Sequence, residues 1–173
     1  DTGMGVLTHP AEGCVARKAT PFSDAMGEKA FSMAWRSLSP AHAGDSAAKG
    51  EMLLASCLAG ISSNAAGLGI CHALAHALGG RYHIPHGRLN AMLLPHVIAF
   101  NSADKAAADE YARLAGLCGL AKSPRALMGG VRRLRAGLGM PEKLTACGVE
   151  GQTLLADLDS IAETALADVC APG

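Results

Sequence analysis

Aromatic side chains are scarce in this chain: Phe, Tyr and Trp together make up 3% of its 173 residues, yet half of the residues are hydrophobic. A core must therefore be assembled from Ala, Leu, Met, Val and Ile, which disfavours an aromatic-rich β-sandwich and favours closely packed helices. Excess charge of either sign is also missing, with 15 Lys and Arg against 15 Asp and Glu. That balance gives no electrostatic case for a nucleic acid or an anionic membrane as partner. No apolar run approaches the roughly 20 residues that span a bilayer, and the start, Asp1-Thr2-Gly3-Met4, has no basic stretch leading into an apolar one. Cys14, Cys57, Cys71, Cys118, Cys147 and Cys170 form no CxxC pair and sit mostly in helical patterns, which argues against a disulfide scaffold; reduced thiols in a cytoplasmic, soluble protein are expected. Alternating β patterns, internal repeats and disordered linkers are absent too. What remains is an all-α fold, a helical bundle of about seven to nine helices, with residues 1–173 read as one domain.

What is there concentrates in the stretch from Gly69 to Asn101, which holds five of the seven histidines. His72 and His76 lie four apart in an Ala/Leu-rich run, so on a helix both imidazoles project from one face. Gly79-Gly80 reads as the stop of that helix. Pro85 suits the start of the next one, which would place His86 at its beginning, facing the first pair. Neutral imidazole is a common ligand for zinc and ferrous iron, and side chains converging from separate elements are a usual way to hold a catalytic metal. The HxxxH spacing without a Glu after the first His, where this chain has Ala73, disfavours a metalloprotease. Gly67-Leu68-Gly69 lacks both the third glycine and the preceding strand of a dinucleotide loop and reads as a helix junction.

The same stretch resembles the signature of the iron-containing (group III) alcohol dehydrogenases. The residues that carry the resemblance are His72-Ala-Leu-Ala-His76-Ala-Leu-Gly79, Tyr82, Pro85-His86-Gly87, Asn90-Ala91, Leu93-Leu94-Pro95-His96-Val97 and Phe100-Asn101. It extends upstream through Thr2-Gly3-Met4 and Leu7-Thr8-His9 and downstream to Leu166-Ala167-Asp168-Val169-Cys170. The fold it implies is the C-terminal helical domain of the dehydroquinate synthase-like architecture, with the family's N-terminal nicotinamide-binding α/β domain and the segment after Asp-Val-Cys missing from this chain.

The resemblance also implies chemistry. A divalent metal, iron or zinc, polarises the oxygen of a small alcohol or aldehyde while hydride passes to or from NAD or NADP. The implied ligands are His9, His72 and His86. His76, not a ligand in the family, is the candidate for contact with cofactor or substrate and for proton relay. His83 and His96 read as structural or surface residues, and Cys71 as packing. One departure stands out: Gly5 occupies the place of the family's ligand Asp, four residues before His9. A homo-oligomer and an association with bacterial microcompartments are left open, and no encapsulation peptide is visible.

Taken in order, the chain predicts a first helix near residues 2–15 that Pro10 should kink, shorten or delay. A second helix runs from Thr20-Pro21 to Leu38, followed by a loop from Ser39 to Gly44. A third, capped by Asp45 or Ser46, has an apolar centre from Met52 to Ile61 that belongs in the middle of a bundle. Helices from the capping signal at Asn101-Ser102, with Asp104 close behind, to about Leu117, from Ser123-Pro124 to Gly139 and from Gln152 to Val169 complete the set, the last with a break near Asp157 to Ser160. Arg132, Arg133 and Arg135 read as a solvated face. Two functions compete: the metal-binding catalytic domain of an alcohol dehydrogenase, inactive by itself, and a non-catalytic helical assembly or binding protein that keeps the fold with one ligand lost.

Overall fold

The computed structural model describes residues 1–171, and these contain eight α-helices, one 3-10 turn and no strand. The helices are α1 (Thr2–Gly13), α2 (Pro21–His42), α3 (Ser46–Ala66), α4 (Ile70–Tyr82), α5 (His86–Asn101), α6 (Lys105–Leu117), α7 (Pro124–Gly137) and α8 (Gly151–Leu166), with the 3-10 turn at Leu144–Cys147. Side-chain oxygens one turn back start several of them by accepting a backbone N–H that has no helical partner. Thr20 and Ser23 form a reciprocal capping box at α2, and Asp45, Asp104 and Ser123 accept from Ala48, Ala107 and Ala126.

Helix α1 is the hub, packed against α2, α3 and α5. Its Met4, Leu7 and Ala11 are buried with Phe31 and Met33 of α2, Leu94 and Ile98 of α5, Tyr111 and Leu114 of α6, and Leu127 and Val131 of α7. A second, smaller cluster joins Ala75 and Leu78 of α4 to Leu89 of α5 and to Ile161 and Ala165 of α8. Each fully buried Leu or Met contributes about 1.5–3 kcal/mol relative to exposure, so the first cluster dominates the energetics.

Several expectations are corrected. Helix α1 is neither shortened nor late: it runs unbroken through Pro10, which is itself buried. Burial on three neighbouring helices outweighs the one hydrogen bond and the local clash that proline costs. Helix α2 continues through Pro40 to His42, so the expected loop at Ser39 is helical. The glycine pair does not stop α4; the helix continues to Tyr82 and ends where His83 adopts a left-handed conformation, φ 54°. A Cβ at Gly79 would sit 3.4 Å from Leu89, at ordinary van der Waals distance. Helix α8 has no break at Asp157 to Ser160 and ends at Leu166.

Helix α3 does not lie in the middle. Its buried stripe is Ala55, Ala59, Ser62 and Ala66, while Leu53 is 75% exposed and Leu54 and Ile61 are exposed as well. Small residues decide the packing because they let α3 approach α2: a Cβ on Gly27 would lie 2.8 Å from Ser62 Oγ, whose hydroxyl donates to the Ser23 carbonyl at 2.8 Å. Arg132 and Arg133 are exposed as expected, whereas Arg135 is buried and reaches Glu142 at 3.2 Å. No single helix among the described residues is long and apolar enough to cross a membrane.

Candidate metal centre

Four histidines from three helices meet where α1, α4 and the start of α5 come together. His9 comes from the third turn of α1, His72 and His76 from consecutive turns of α4, and His86 from the first position of α5, after Pro85. His72 stands at the centre: its ring centroid is 4.5 Å from that of His9, 5.2 Å from His86 and 6.2 Å from His76, and His76 stacks on His86 at 5.1 Å. The sequence-predicted residues are thus brought together. His83 and His96 are exposed.

Each of three rings is anchored through Nδ1. His9 Nδ1–H donates to the Gly5 carbonyl at 2.7 Å. A carbonyl only accepts, so the proton is on Nδ1 and Nε2 carries the lone pair. His72 Nδ1–H donates to Glu12 Oε2, and His76 Nδ1–H donates to Asp168 Oδ2 at 2.9 Å. Asp168 is itself held by the Cys170 N–H at 2.8 Å. That backbone bond, with His76 next, keeps the Asp168 carboxyl below its usual range.

The surroundings of His9 and His86 favour their neutral forms. Partial burial of the His86 ring, followed by the neighbouring His72, His76 and His9, pushes its pKa down to about 4. Burial also holds His9 below its ordinary value, against the Gly5 carbonyl, which pulls the other way. Cys71 is fully buried and burial drives its thiol well above the ordinary range, as a packing residue requires.

The donor set accommodates a divalent cation. His72 Nε2 is buried and has no hydrogen-bond partner, a costly state for a polar atom unless something else binds it. Neutral imidazoles with their lone pairs free are the form that ligates. An open cleft of about 370 Å³ lies alongside, bordered by Gly5, Val6, His9, Ala59, Pro85 and His86. A Cβ at Gly5 would meet nothing within 4 Å, so a side chain would fit there and none is present. Asp1 does not replace it; both its carboxylate oxygens are taken by Arg88, at 3.0 and 3.2 Å.

Among the described residues, the ligand-type groups whose donor atoms all lie within 4.8 Å of one another are His76, Asp168 and Cys170. The His9, His72 and His86 rings are gathered less tightly. Chemistry nevertheless favours the imidazoles, because Asp168 is already satisfied by His76 and the Cys170 amide, and burial pushes the Cys170 thiol up to about 11. A neutral thiol is a poor ligand.

Sequence reasoning gave no role to Glu12 or to Asp168. Glu12 had a legible signal, since it lies three residues after His9 and so shares a face of α1. Asp168 lies in the Leu166–Cys170 stretch that carries the resemblance, but no periodicity links it to His76, 92 residues away.

A helical domain with clustered imidazoles beside an open cleft defines a class, and comparison with known proteins gives its family. The family model described as "Fe-containing alcohol dehydrogenase family, C-terminal" matches residues 1–173, and the chain belongs to that family. It is 42% identical to a 1-propanol dehydrogenase of Citrobacter freundii, covering 98% of this chain and 48% of that protein. With an NADPH-dependent butanol dehydrogenase of Clostridium saccharobutylicum the identity is 38%, over 98% and 44% of the two chains. Among solved structures, an iron-containing alcohol dehydrogenase from Thermococcus thioreducens superposes with a TM-score of 0.92 at 34% identity, over 98% of this chain and 44% of that one. The chain thus spans about half the length of the curated relatives it matches, and its all-helical fold is that of their C-terminal domain.

Proposed function

We propose that residues 1–173 act as one metal-binding domain of an NAD- or NADP-dependent alcohol dehydrogenase that interconverts a short primary alcohol and its aldehyde. The observation that carries this reading is the buried, unpartnered Nε2 of His72, whose ring packs against those of His9 and His86. His9, His72 and His86 are the proposed ligands, for zinc or ferrous iron. Such a cation, when bound, supplies Lewis-acid polarisation of the substrate oxygen. His76 stacks on His86, which borders the cleft, and its side chain is 43% exposed; with Nδ1 committed to Asp168, its Nε2 is free to accept the hydroxyl proton of an alcohol. The aliphatic walls from Val6 and Ala59 suit a short hydrocarbon chain. NAD or NADP would approach from a nicotinamide-binding half outside residues 1–173, in keeping with relatives about twice as long, one of them named as NADPH-dependent. Residues 1–173 alone are expected to show no turnover of ethanol or propanol with NAD. We place the protein in the cytoplasm.

The second reading, a non-catalytic helical assembly or binding protein, draws on Gly5, which supplies no carboxylate, and on the exposed Leu53, Leu54 and Ile61 of α3. Titration of zinc and ferrous iron into the wild type and a Gly5→Asp variant separates the two. The first reading expects binding by the wild type and tighter binding by the variant, together with a metal-independent stability gain of about 0.5–1 kcal/mol from replacing a helical glycine. Absence of binding to both proteins favours the second reading. Equal affinity in the two means that position 5 does not face the metal.

A further inference from the structure

We propose that Glu12 is the positioning residue of this centre: one buried carboxylate closes the N-terminus of α4 and at the same time locks His72 in the tautomer that leaves Nε2 bare. The use made of that Nε2 rests on the metal reading above; the lock itself does not.

Helix α4 begins after Gly69, which has no side chain to cap it, so its leading N–H groups need acceptors from elsewhere. Glu12 supplies one from α1: it is 1% exposed, and its Oε1 accepts the Cys71 N–H at 2.6 Å. A negative charge at this end of a helix is also favoured by the helix dipole.

Oε2 of the same carboxylate accepts from His72 Nδ1. An ionised carboxylate has no proton to give, so the imidazole proton must sit on Nδ1 and the lone pair on Nε2. The chain is shaped for this contact. A Cβ on Gly69 would lie 2.9 Å from Glu12 Oε1, and Gly67, at φ 87°, begins the junction across which α3 and α4 bend by 105°. The Gly67-Leu68-Gly69 stretch is therefore more than a helix junction: it clears the path for Glu12.

Glutamine at position 12 makes the test discriminating, because it is isosteric but has one acceptor and one donor end. If its oxygen keeps the Cys71 bond, its amide nitrogen faces His72 Nδ1 and forces the ring proton onto Nε2. The measurement is imidazole nitrogen NMR on the metal-free chain, with His72 assigned by the signals lost in His72→Gln, followed by cobalt(II) titration read in the visible spectrum. The wild type is expected to carry the His72 proton on Nδ1. Glu12→Gln is expected to move it to Nε2 and to weaken cobalt binding by about 10–100-fold. A wild-type ring protonated on Nε2, or a folded Glu12→Gln variant with unchanged tautomer and affinity, overturns the proposal. Should the variant not fold, the wild-type tautomer alone decides. A wild type with the expected tautomer that binds no cobalt through imidazole keeps the positioning role and removes the metal reading instead.

Discussion

His72 and His76 occupy consecutive turns of α4 in a nearly repeating sequence, His-Ala-Leu-Ala-His-Ala-Leu, yet the two turns live in different physical worlds. The first is sealed: His72 and its partner Glu12 have side chains 2% and 1% exposed, enclosed by the hub helix α1. The second is open: His76 and Asp168 are 43% and 18% exposed, and the neighbouring turn is held to α8 by Arg81 and Tyr82, both donating to Asp157. A buried hydrogen-bonded charge is costly to disturb, whereas the same pair in contact with water is screened and cheap to lose. The closed turn is accordingly suited to hold a fixed ligand, and the open one to meet a molecule arriving from solvent.

The comparison breaks hardest at Glu12. Glu12→Ala strands a buried histidine N–H and a helix-terminal N–H, and a loss of about 2–4 kcal/mol is expected in urea denaturation of the metal-free protein. Asp168→Ala should cost less than about 1 kcal/mol by the same assay, after allowance for solvent screening. Similar losses for the two would mean that α4 is not divided in this way. Gly69→Ala touches only the sealed turn and should cost about 1–3 kcal/mol through overpacking against Glu12; a neutral result would show that the carboxylate can retreat without loss.

The smallest effect is expected at the α8 end and depends on pH. Hydrogen bonds from Arg81 and then Tyr82 hold the Asp157 carboxyl below its ordinary value of 3.8. Its contribution to stability is therefore present at neutral pH and is lost as pH falls from the unfolded value through the folded one. Denaturation midpoints of wild type and Asp157→Asn should differ above pH 4 and approach each other as the pH is lowered further. A gap that stays constant down to pH 3 would assign the difference to packing rather than to the charge.

Local signals in the sequence carried much of the architecture. Thr20-Pro21, Asp45 and Ser123-Pro124 start helices where their capping chemistry places them, and of the signals from Asn101 to Asp104 it is Asp104 that caps; His86 stands at a helix start because Pro85 precedes it. The failures share a cause. Pro10, Pro40 and the Gly79-Gly80 pair are local breakers, and in each case the helix continues through them. Helix α3 reads as central by hydropathy, but its small residues, not its large ones, face the neighbour. The cluster of His72, His76 and His86 was legible because the spacing of residues on and next to one helix fixes their relative positions. His9 entered through family resemblance, since no periodicity links α1 to α4.

By itself, then, the sequence determined the helical class, most helix starts and the grouping of the α4 and α5 imidazoles, because caps and i, i+4 spacing are properties of a few neighbouring residues. Tertiary structure alone decided which helix became the hub, which face of α3 was covered, and which acceptor fixed each ring. The physical reason is that a carboxylate such as Glu12 acquires its role only when folding brings it 60 residues back against His72 and removes the water that would otherwise satisfy both.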